Sequence, residues 1–332
     1  MPYGETEIPI RVPDENFYKI LEPKKPSVTA QLSDQIENSL AHPVNDLELS
    51  NLSKPGTIAG VLIDPIVPAS VQKQAVDTLK VKLKNLGIER IKFFYRRRTS
   101  NAEPPSSQEG TAFNPIDPNV GAFTDLGRTS KGTEVHLETE LLQCDLKIAI
   151  SIVTPHFASG FTGGPDLLVP GASSFDTITK NRSLMVKGIP NPRDTLQNMV
   201  LSDSLEAYKM AGHFYSMTFV PDGWGGVDTA FSGELEAAFR EAVRKYVEVH
   251  SPRLDRRSDV VVVAAGKLLG MDLYHAVRVL SNAFEAVRKE GTVILVAECS
   301  KGIGDSGFLE FSRRFAEKRE LVTELRRRFR LG

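Results

Sequence analysis

Residues 146–171, LKIAISIVTPHFASGFTGGPDLLVPG, decide the fold, because an apolar run passes directly into a loop rich in glycine and proline. The run Leu146–Val153 is typical of a strand that is buried on both faces of a parallel sheet. A second such run, Thr57–Ile63 (TIAGVLI), ends at Asp64 and Pro65. Both runs deliver polar residues at their carboxyl ends, and ligands bind at that edge of an open α/β sheet. The sequence therefore predicts a parallel sheet with a ligand site at this edge.

The segments outside these two runs repeat a strand–helix–strand pattern. Val71–Leu86 carries apolar residues at helical spacing and stops at Gly87, and Ile88–Tyr95 follows as the next strand. A second unit near the carboxyl terminus comprises a strand over Asp259–Gly266, a helix over Tyr274–Glu290, a strand over Gly291–Ala297 and an amphipathic helix over Phe308–Leu331. The minor predictions are short strands within residues 4–22, a helix over 33–40 capped by Ser33, a long loop over Thr99–Asn119 and a strand over Thr133–Leu137.

The length predicts more than one folding unit. The chain has 332 residues, and single cores stop growing at roughly 250–300 residues. We expect an α/β protein with two α/β domains, mainly parallel sheets and an interdomain cleft. The predicted division places residues 1–250 in the first domain and residues 251–332 in a smaller, abridged domain with a terminal helix.

Charge and composition exclude several classes of partner. Lys and Arg number 41 against 42 Asp and Glu, for a net charge of −1, so no overall field attracts nucleic acid or an anionic membrane. Cys144 and Cys299 are too few for a disulfide framework or a cysteine zinc site. The opening MPYGETEIPI lacks the features of a signal peptide, and no apolar run approaches the roughly 18 residues that span a bilayer. We expect a reduced, cytoplasmic protein that binds neither nucleic acid nor membrane.

His156 is the candidate catalytic residue, because it stands alone in the glycine-rich loop after a buried strand. An imidazole takes and returns a proton near neutral pH, which suits general acid–base catalysis. The sharp turns at Gly163 and Gly164 predict backbone amides that are exposed to an anion. A histidine that merely caps a turn is the alternative interpretation.

The stretch SIVTPHFASGFTGGPDLLVPGASSFDTI resembles the signature of the LarA-type lactate racemase family, which has a Pro-His, a Gly-Phe-Ser/Thr-Gly-Gly segment and a Pro-Gly after a strand. The Asp64–Pro65 turn and the later stretch AGKLLGMDLYHAVRVLSNAFEAVRKEGTVILVAECSKGIG are also similar to segments of that family, in the same order. The resemblance implies a two-domain α/β enzyme that racemises or epimerises 2-hydroxy acids. It also implies a nickel-bearing pincer nucleotide that accepts a hydride while one of two histidines removes the hydroxyl proton.

The sequence departs from the family pattern at several positions. Asp166 stands where the family has a lysine that tethers the cofactor. The stretch expected to hold a nickel-ligating histidine contains Lys180, Asn181 and Arg182 instead. The second catalytic histidine is replaced by the segment Arg96–Ser100, and an arginine of the first loop is replaced by Val67. The metal-binding residues therefore stay undefined, and Lys180 is the nearest alternative amine for holding the cofactor.

The resemblance assigns roles to the residues that match it. His156 is one acid–base residue, and His275 is the candidate for the second, with an exposed helix residue as the alternative interpretation. Arg278 is the candidate for binding the substrate carboxylate. The candidate cofactor-binding residues are Asp64, Arg98, Gly163, Gly164 and Lys180.

Two functions follow from these observations. The first is a racemase or epimerase that acts on a 2-hydroxy acid or sugar acid by proton-coupled hydride transfer. The second is a non-catalytic or repurposed paralogue that binds a small carboxylate or a nucleotide. The loss of a tether, a metal ligand and a base favours the second function, because grouped catalytic residues act as a unit.

Overall fold

The computed structural model describes residues 1–24, 31–54, 56–97, 111–187, 198–304, 306–315 and 317–327. The strands are β1 (Pro2–Tyr3), β2 (Thr6–Glu7), β3 (Ile58–Ile63), β4 (Arg90–Arg96), β5 (Phe113–Ile116), β6 (Phe123–Arg128), β7 (Glu134–Glu138), β8 (Leu146–Ile152), β9 (Pro155–His156), β10 (Gly160–Phe161), β11 (Tyr215–Pro221), β12 (Val227–Glu234), β13 (Ser258–Ala264) and β14 (Val287–Val296). The α-helices are α1 (Leu32–Ala41), α2 (Leu49–Leu52), α3 (Ala69–Asn85), α4 (Thr139–Leu142), α5 (Phe175–Ser183), α6 (Met199–Ala211), α7 (Leu235–His250), α8 (Gly266–Leu269), α9 (Leu273–Ala276), α10 (Leu280–Ala286), α11 (Ser306–Arg314) and α12 (Lys318–Arg327).

The central sheet has six strands in the order β12-β11-β8-β3-β4-β5. All neighbouring strands are parallel except β12, which runs antiparallel to β11. Strands β3 and β8 lie in the middle and are almost entirely buried, as their continuous apolar sequences predict. The predicted α/β class with a mainly parallel sheet is confirmed. Because β3 and β8 are parallel neighbours, the residues after them meet at one edge of the sheet.

Apolar side chains cover both faces of this sheet. On one face, α1 and α3 pack through Ile36, Ala75 and Leu79 against the buried side chains of β3 and β8. On the other face, the loop after β10 and helix α6 pack through Leu168 and Tyr208. The buried central strands β3 and β8 are therefore a rigid support for the loops at their carboxyl ends.

The carboxyl-terminal segment forms a smaller unit around the parallel pair β13–β14. Short helices α8 to α10 connect the two strands, and Ala265, Leu269 and Ala276 belong to the same apolar cluster as Ile66 and Val67. The amino-terminal strand β1 also lies against α8, and Glu5 forms an ion pair with Lys267 at 2.6 Å. The loop after β3 therefore packs directly on the carboxyl-terminal unit. The division at residue 250 stays a prediction.

Several sequence predictions differ from the structure. Ser33 does not cap α1, because the helix already begins at Leu32 after Gln31, and the Ser33 hydroxyl donates to Asp34 at 3.3 Å. The predicted helix over 274–290 ends at Ala286, because Val287 is extended and pairs with β13. Helices α11 and α12 replace the single terminal helix. Residues 198–250, for which we predict no elements, contain α6, β11, β12 and α7.

Among the residues described, no helix is both long enough and apolar enough to cross a bilayer.

Candidate functional site

Asp64 follows β3 at the carboxyl edge of the sheet. Its side chain is buried, and its Oδ1 accepts a hydrogen bond from the backbone N–H of Ile66 at 3.1 Å. Its own backbone N–H donates to the carbonyl of Ile150 in β8 at 2.9 Å. Asp64 therefore fixes the turn after β3 and ties it to the strand that leads to His156.

His156 lies in β9, four residues after the end of β8, and only 7% of its surface is exposed. The backbone N–H groups of Ala158 and Ser159 point at its Nδ1 from 3.1 and 3.4 Å. Since a backbone N–H can only donate, Nδ1 is the acceptor and the ring proton lies on Nε2. The alternative interpretation of His156 as a turn cap is therefore correct for Nδ1.

Side chains from outside the loop hold the His156 turn in place. The Asn198 side-chain amide donates to the carbonyl of Ala158 at 2.9 Å, and both residues are buried. The Ser159 hydroxyl contacts the carbonyl of Phe161 at 3.0 Å and the carboxylate of Asp166 at 2.9 Å. The orientation of the His156 imidazole is therefore fixed by a turn whose own polar groups are hydrogen-bonded to buried side chains.

The two glycines after this turn serve close packing. Both have positive φ, and a Cβ atom on Gly164 would lie 2.6 Å from the side chain of Phe239. The Gly164 N–H donates to the Ser151 hydroxyl at 3.4 Å, and the Asp166 N–H donates to the carbonyl of Gly163 at 3.2 Å. The expectation of an amide exposed to an anion is therefore wrong for Gly164, whose N–H the loop uses internally. A cofactor-binding role for Gly163 and Gly164 stays a prediction.

Asp166 and Arg182 form a buried ion pair. Arg182 Nη2 lies 3.0 Å from Asp166 Oδ2, and the side chains are 9% and 5% exposed for arginine and aspartate respectively. Arg182 reaches this position from α5, which begins after its N-cap residue Ser174. Asp166, which stands in place of the family's lysine, therefore contacts Arg182, which lies in the stretch without the expected histidine.

His275 lies in α9 and is 5% exposed, so the interpretation as an exposed helix residue is wrong. Its Nδ1 lies 2.7 and 2.8 Å from the two carboxylate oxygens of Asp272. Asp272 also caps α9 and accepts the backbone N–H of His275 at 2.8 Å. The carboxylate therefore holds a proton on Nδ1 of His275 and fixes the orientation of its ring.

The structure brings the two histidine segments together. Strand β9, which contains His156, lies against the turn Val277–Val279, which directly follows α9. Arg278 lies in this turn, is 4% exposed and has its guanidinium 5.6 Å from the ring centroid of Tyr274. The edge of the sheet therefore places the segment of His156 beside the turn that carries the buried Arg278 and follows the helix of His275.

The other predicted residues lie elsewhere. Lys180 is exposed on α5, and its Cε lies 3.9 Å from the position of a Cβ on Gly132. Arg98 lies outside the described residues, whereas Arg96 ends β4 at the same sheet edge and is half-buried. The described part of the chain contains no group of three or more His, Cys, Asp and Glu side chains that is suited to a metal ion. The cofactor roles of Arg98 and Lys180 stay predictions.

Sequence reasoning did not identify Asp272 or the partnership of Asp166 with Arg182. The spacing Asp272-x-x-His275 is the signal for the first, because an N-cap aspartate lies beside the third residue of its helix. Burial raises the pKa of the Cys299 thiol, and the nearby Asp272 carboxylate raises it further. This thiol therefore stays protonated at neutral pH.

Comparison with known proteins identifies the family. The lactate racemase N-terminal domain matches residues 3–95 and 114–192, which is more than half of the chain, and the lactate racemase C-terminal domain matches residues 254–330. A lactate racemase of Lactiplantibacillus plantarum is 25% identical over 327 residues, which cover 93% of this chain and 76% of that protein. A lactate racemase of Thermoanaerobacterium thermosaccharolyticum is 23% identical over 341 residues, which cover 98% of this chain and 80% of that protein.

Solved structures agree with this assignment at the level of the fold. The lactate racemase apoprotein from Thermoanaerobacterium thermosaccharolyticum superposes with a TM-score of 0.79 at 22% identity, over 99% of this chain and 81% of that chain. A protein from Thermotoga maritima superposes with a TM-score of 0.55 at 15% identity, over 76% of this chain and 66% of that chain. The matches to lactate racemases support a racemase function at the level of the family. On the domain matches, the chain belongs to the lactate racemase family.

Proposed function

We propose that this chain is a racemase or epimerase of a small 2-hydroxy acid and acts on the hydroxyl group of its substrate. The observation that carries the proposal is the opposite role of Nδ1 in the two buried imidazoles, which accepts backbone N–H groups in His156 and faces the Asp272 carboxylate in His275. A substrate hydroxyl both donates and accepts hydrogen bonds, so it is the group that such a pair recognises.

Each residue has a separate role in this proposal. Arg278 binds the carboxylate, because a guanidinium fork matches its two oxygens. His275 would accept the hydroxyl proton, and the Asp272 carboxylate would stabilise the imidazolium that forms. Inversion also requires the α-hydrogen to leave as a hydride to an acceptor and to return to the opposite face, and none of the residues named here supplies that acceptor. His156 Nε2–H donates a hydrogen bond to the same oxygen and orients the substrate.

The residues present do not fit the tethered nickel cofactor of the family. Aspartate has no amine for a covalent tether, and the Asp166 carboxylate is already bonded to Arg182 and Ser159. A guanidinium such as that of Arg182 is a hydrogen-bond donor and has no lone pair for a metal. No step of the proposed function is therefore assigned to that group, and the hydride transfer implied by the family resemblance stays a prediction.

The Asp166–Arg182 pair favours a second candidate function. A paralogue that binds a small carboxylate or a nucleotide without turnover needs neither a tether nor a metal ligand. It would keep Arg278 and both histidines as a recognition site for the ligand.

Chiral chromatography separates the two candidates. We expect protein from its native host to convert each pure enantiomer of a 2-hydroxy acid, tested across a panel, toward the same mixture. The matching 3-hydroxy acids should stay unchanged, because their hydroxyl lies one carbon further from the carboxylate. A rise in melting temperature with a 2-hydroxy acid but no change in enantiomer ratio would favour the second candidate. Neither effect with any acid of the panel would contradict both.

A further inference from the structure

Ser159 connects the buried ion pair to His156. Arg182 contacts Asp166 Oδ2 at 3.0 Å, and the Ser159 hydroxyl donates to the same oxygen at 2.9 Å. The backbone N–H of Ser159 then points at His156 Nδ1 from 3.4 Å, beside that of Ala158 at 3.1 Å. The position of the ion pair therefore fixes Ser159, one of the two residues whose N–H groups hold the imidazole.

Two of the departures from the family pattern, Asp166 and Arg182, are explained together but not separately. A buried carboxylate without a cation, or a buried guanidinium without an anion, leaves an uncompensated charge. Asp166 and Arg182 lie 16 residues apart in sequence and neutralise each other at 3.0 Å. The aspartate and the arginine therefore depend on each other. Their ion pair joins the position of the family's lysine to the stretch in which the resemblance implies a nickel-ligating histidine.

The pair is not arranged for stability alone. Asp166 Oδ1 and Arg182 Nη1 are both buried, and neither has a hydrogen-bond partner among the described residues. A buried ion pair with unsatisfied atoms contributes little net stability, since desolvation offsets the attraction between the charges. The effect of the ion pair is therefore the position that it gives to Ser159, rather than a gain in stability.

We propose that Asp166 and Arg182 are positioning residues, which hold His156 in its Nε2–H form through Ser159 in place of attaching a cofactor. The chain then carries no covalently bound group at this site. The inference concerns the state of His156 and of position 166, and it does not depend on which candidate function is correct.

Nitrogen-15 NMR of the histidine rings tests the positioning role. We expect the wild-type protein to show His156 as a single Nε2–H form, and both Asp166→Asn and Ser159→Ala to give a mixture of the two neutral forms. Ser159→Ala leaves the ion pair intact, so it keeps the test valid if the variant at Asp166 does not fold. His250, whose Nε2 lies 2.7 Å from the carbonyl of Pro221, is the internal reference and should not change.

Arg240→Ala is the matched control, because it breaks a partly exposed pair with Glu236 on α7, a helix that does not carry His156. It should leave the His156 signals unchanged. An unchanged His156 in both Asp166→Asn and Ser159→Ala would overturn the proposal.

Intact mass spectrometry under denaturing conditions tests the missing attachment. We expect protein from its native host to have the mass of the polypeptide alone. A stoichiometric covalent adduct would overturn the proposal. Neither measurement requires turnover, so failure of the proposed function and failure of this inference give different results.

Discussion

Replacing Asp166 by alanine is expected to lower the free energy of unfolding by about 3–5 kcal/mol. The loss arises because the Arg182 guanidinium would stay buried without its counter-ion, while Ser159 would lose its acceptor. Equilibrium unfolding in urea, followed by circular dichroism, measures the change through the midpoint and slope of the transition.

Two further variants show whether the loss comes from the unpaired charge. Arg240→Ala breaks the pair with Glu236, whose side chains are 39% and 19% exposed, and should cost less than about 1 kcal/mol. The double variant Asp166→Leu with Arg182→Met removes both charges and should recover much of the stability that Asp166→Ala loses. Equal small losses for Asp166→Ala and Arg240→Ala would contradict the buried pair described above.

Replacing His275 by alanine is expected to lower kcat/KM for a 2-hydroxy acid by about 10²–10⁴-fold, since the acceptor for the hydroxyl proton is lost. Steady-state rates of enantiomer conversion measure this effect. Asp272→Asn should also lower the rate, because an amide can no longer hold the proton on Nδ1 of His275 as a carboxylate does.

His213→Ala is the matched control for this prediction. His213 is exposed and precedes β11, so it lies at the amino-terminal edge of the sheet, away from the candidate site. Its replacement should leave the rate unchanged. A His275→Ala protein that turns over as fast as the His213→Ala protein would show that His275 is not the proton acceptor.

The sheet and its functional edge could be predicted because each depends on a local pattern. Leu146–Val153 and Thr57–Ile63 are continuous apolar runs, and the strands found there differ from the predictions by one residue at one end. The rule that ligands meet the carboxyl ends of parallel strands then placed Asp64 and His156 at one edge. The family resemblance, carried by the glycine-rich loop, is confirmed by matches in both halves of the chain.

The rest of the site depends on contacts that no local pattern reveals. The ion pair of Asp166 with Arg182 forms because α5 packs against the loop after β10. The sequence does not reveal that both side chains are buried, and burial is what makes each charge depend on the other. Strand β12 is antiparallel to β11, although its sequence contains no alternation that distinguishes this arrangement. Helix α7, in contrast, has a clear signal in the spacing of Leu235, Phe239 and Ala242 on its buried face.

The central claim is that His156 and His275, whose Nδ1 atoms have opposite hydrogen-bonding roles, recognise the hydroxyl group of a 2-hydroxy acid. Isothermal titration calorimetry with lactate and with propionate tests it most directly, because the two acids share the carboxylate and differ in that hydroxyl. The account predicts tighter binding of lactate to the wild-type protein, and loss of this preference in His275→Ala. Equal affinity of the wild-type protein for both acids, or a preference that survives in His275→Ala, would contradict it.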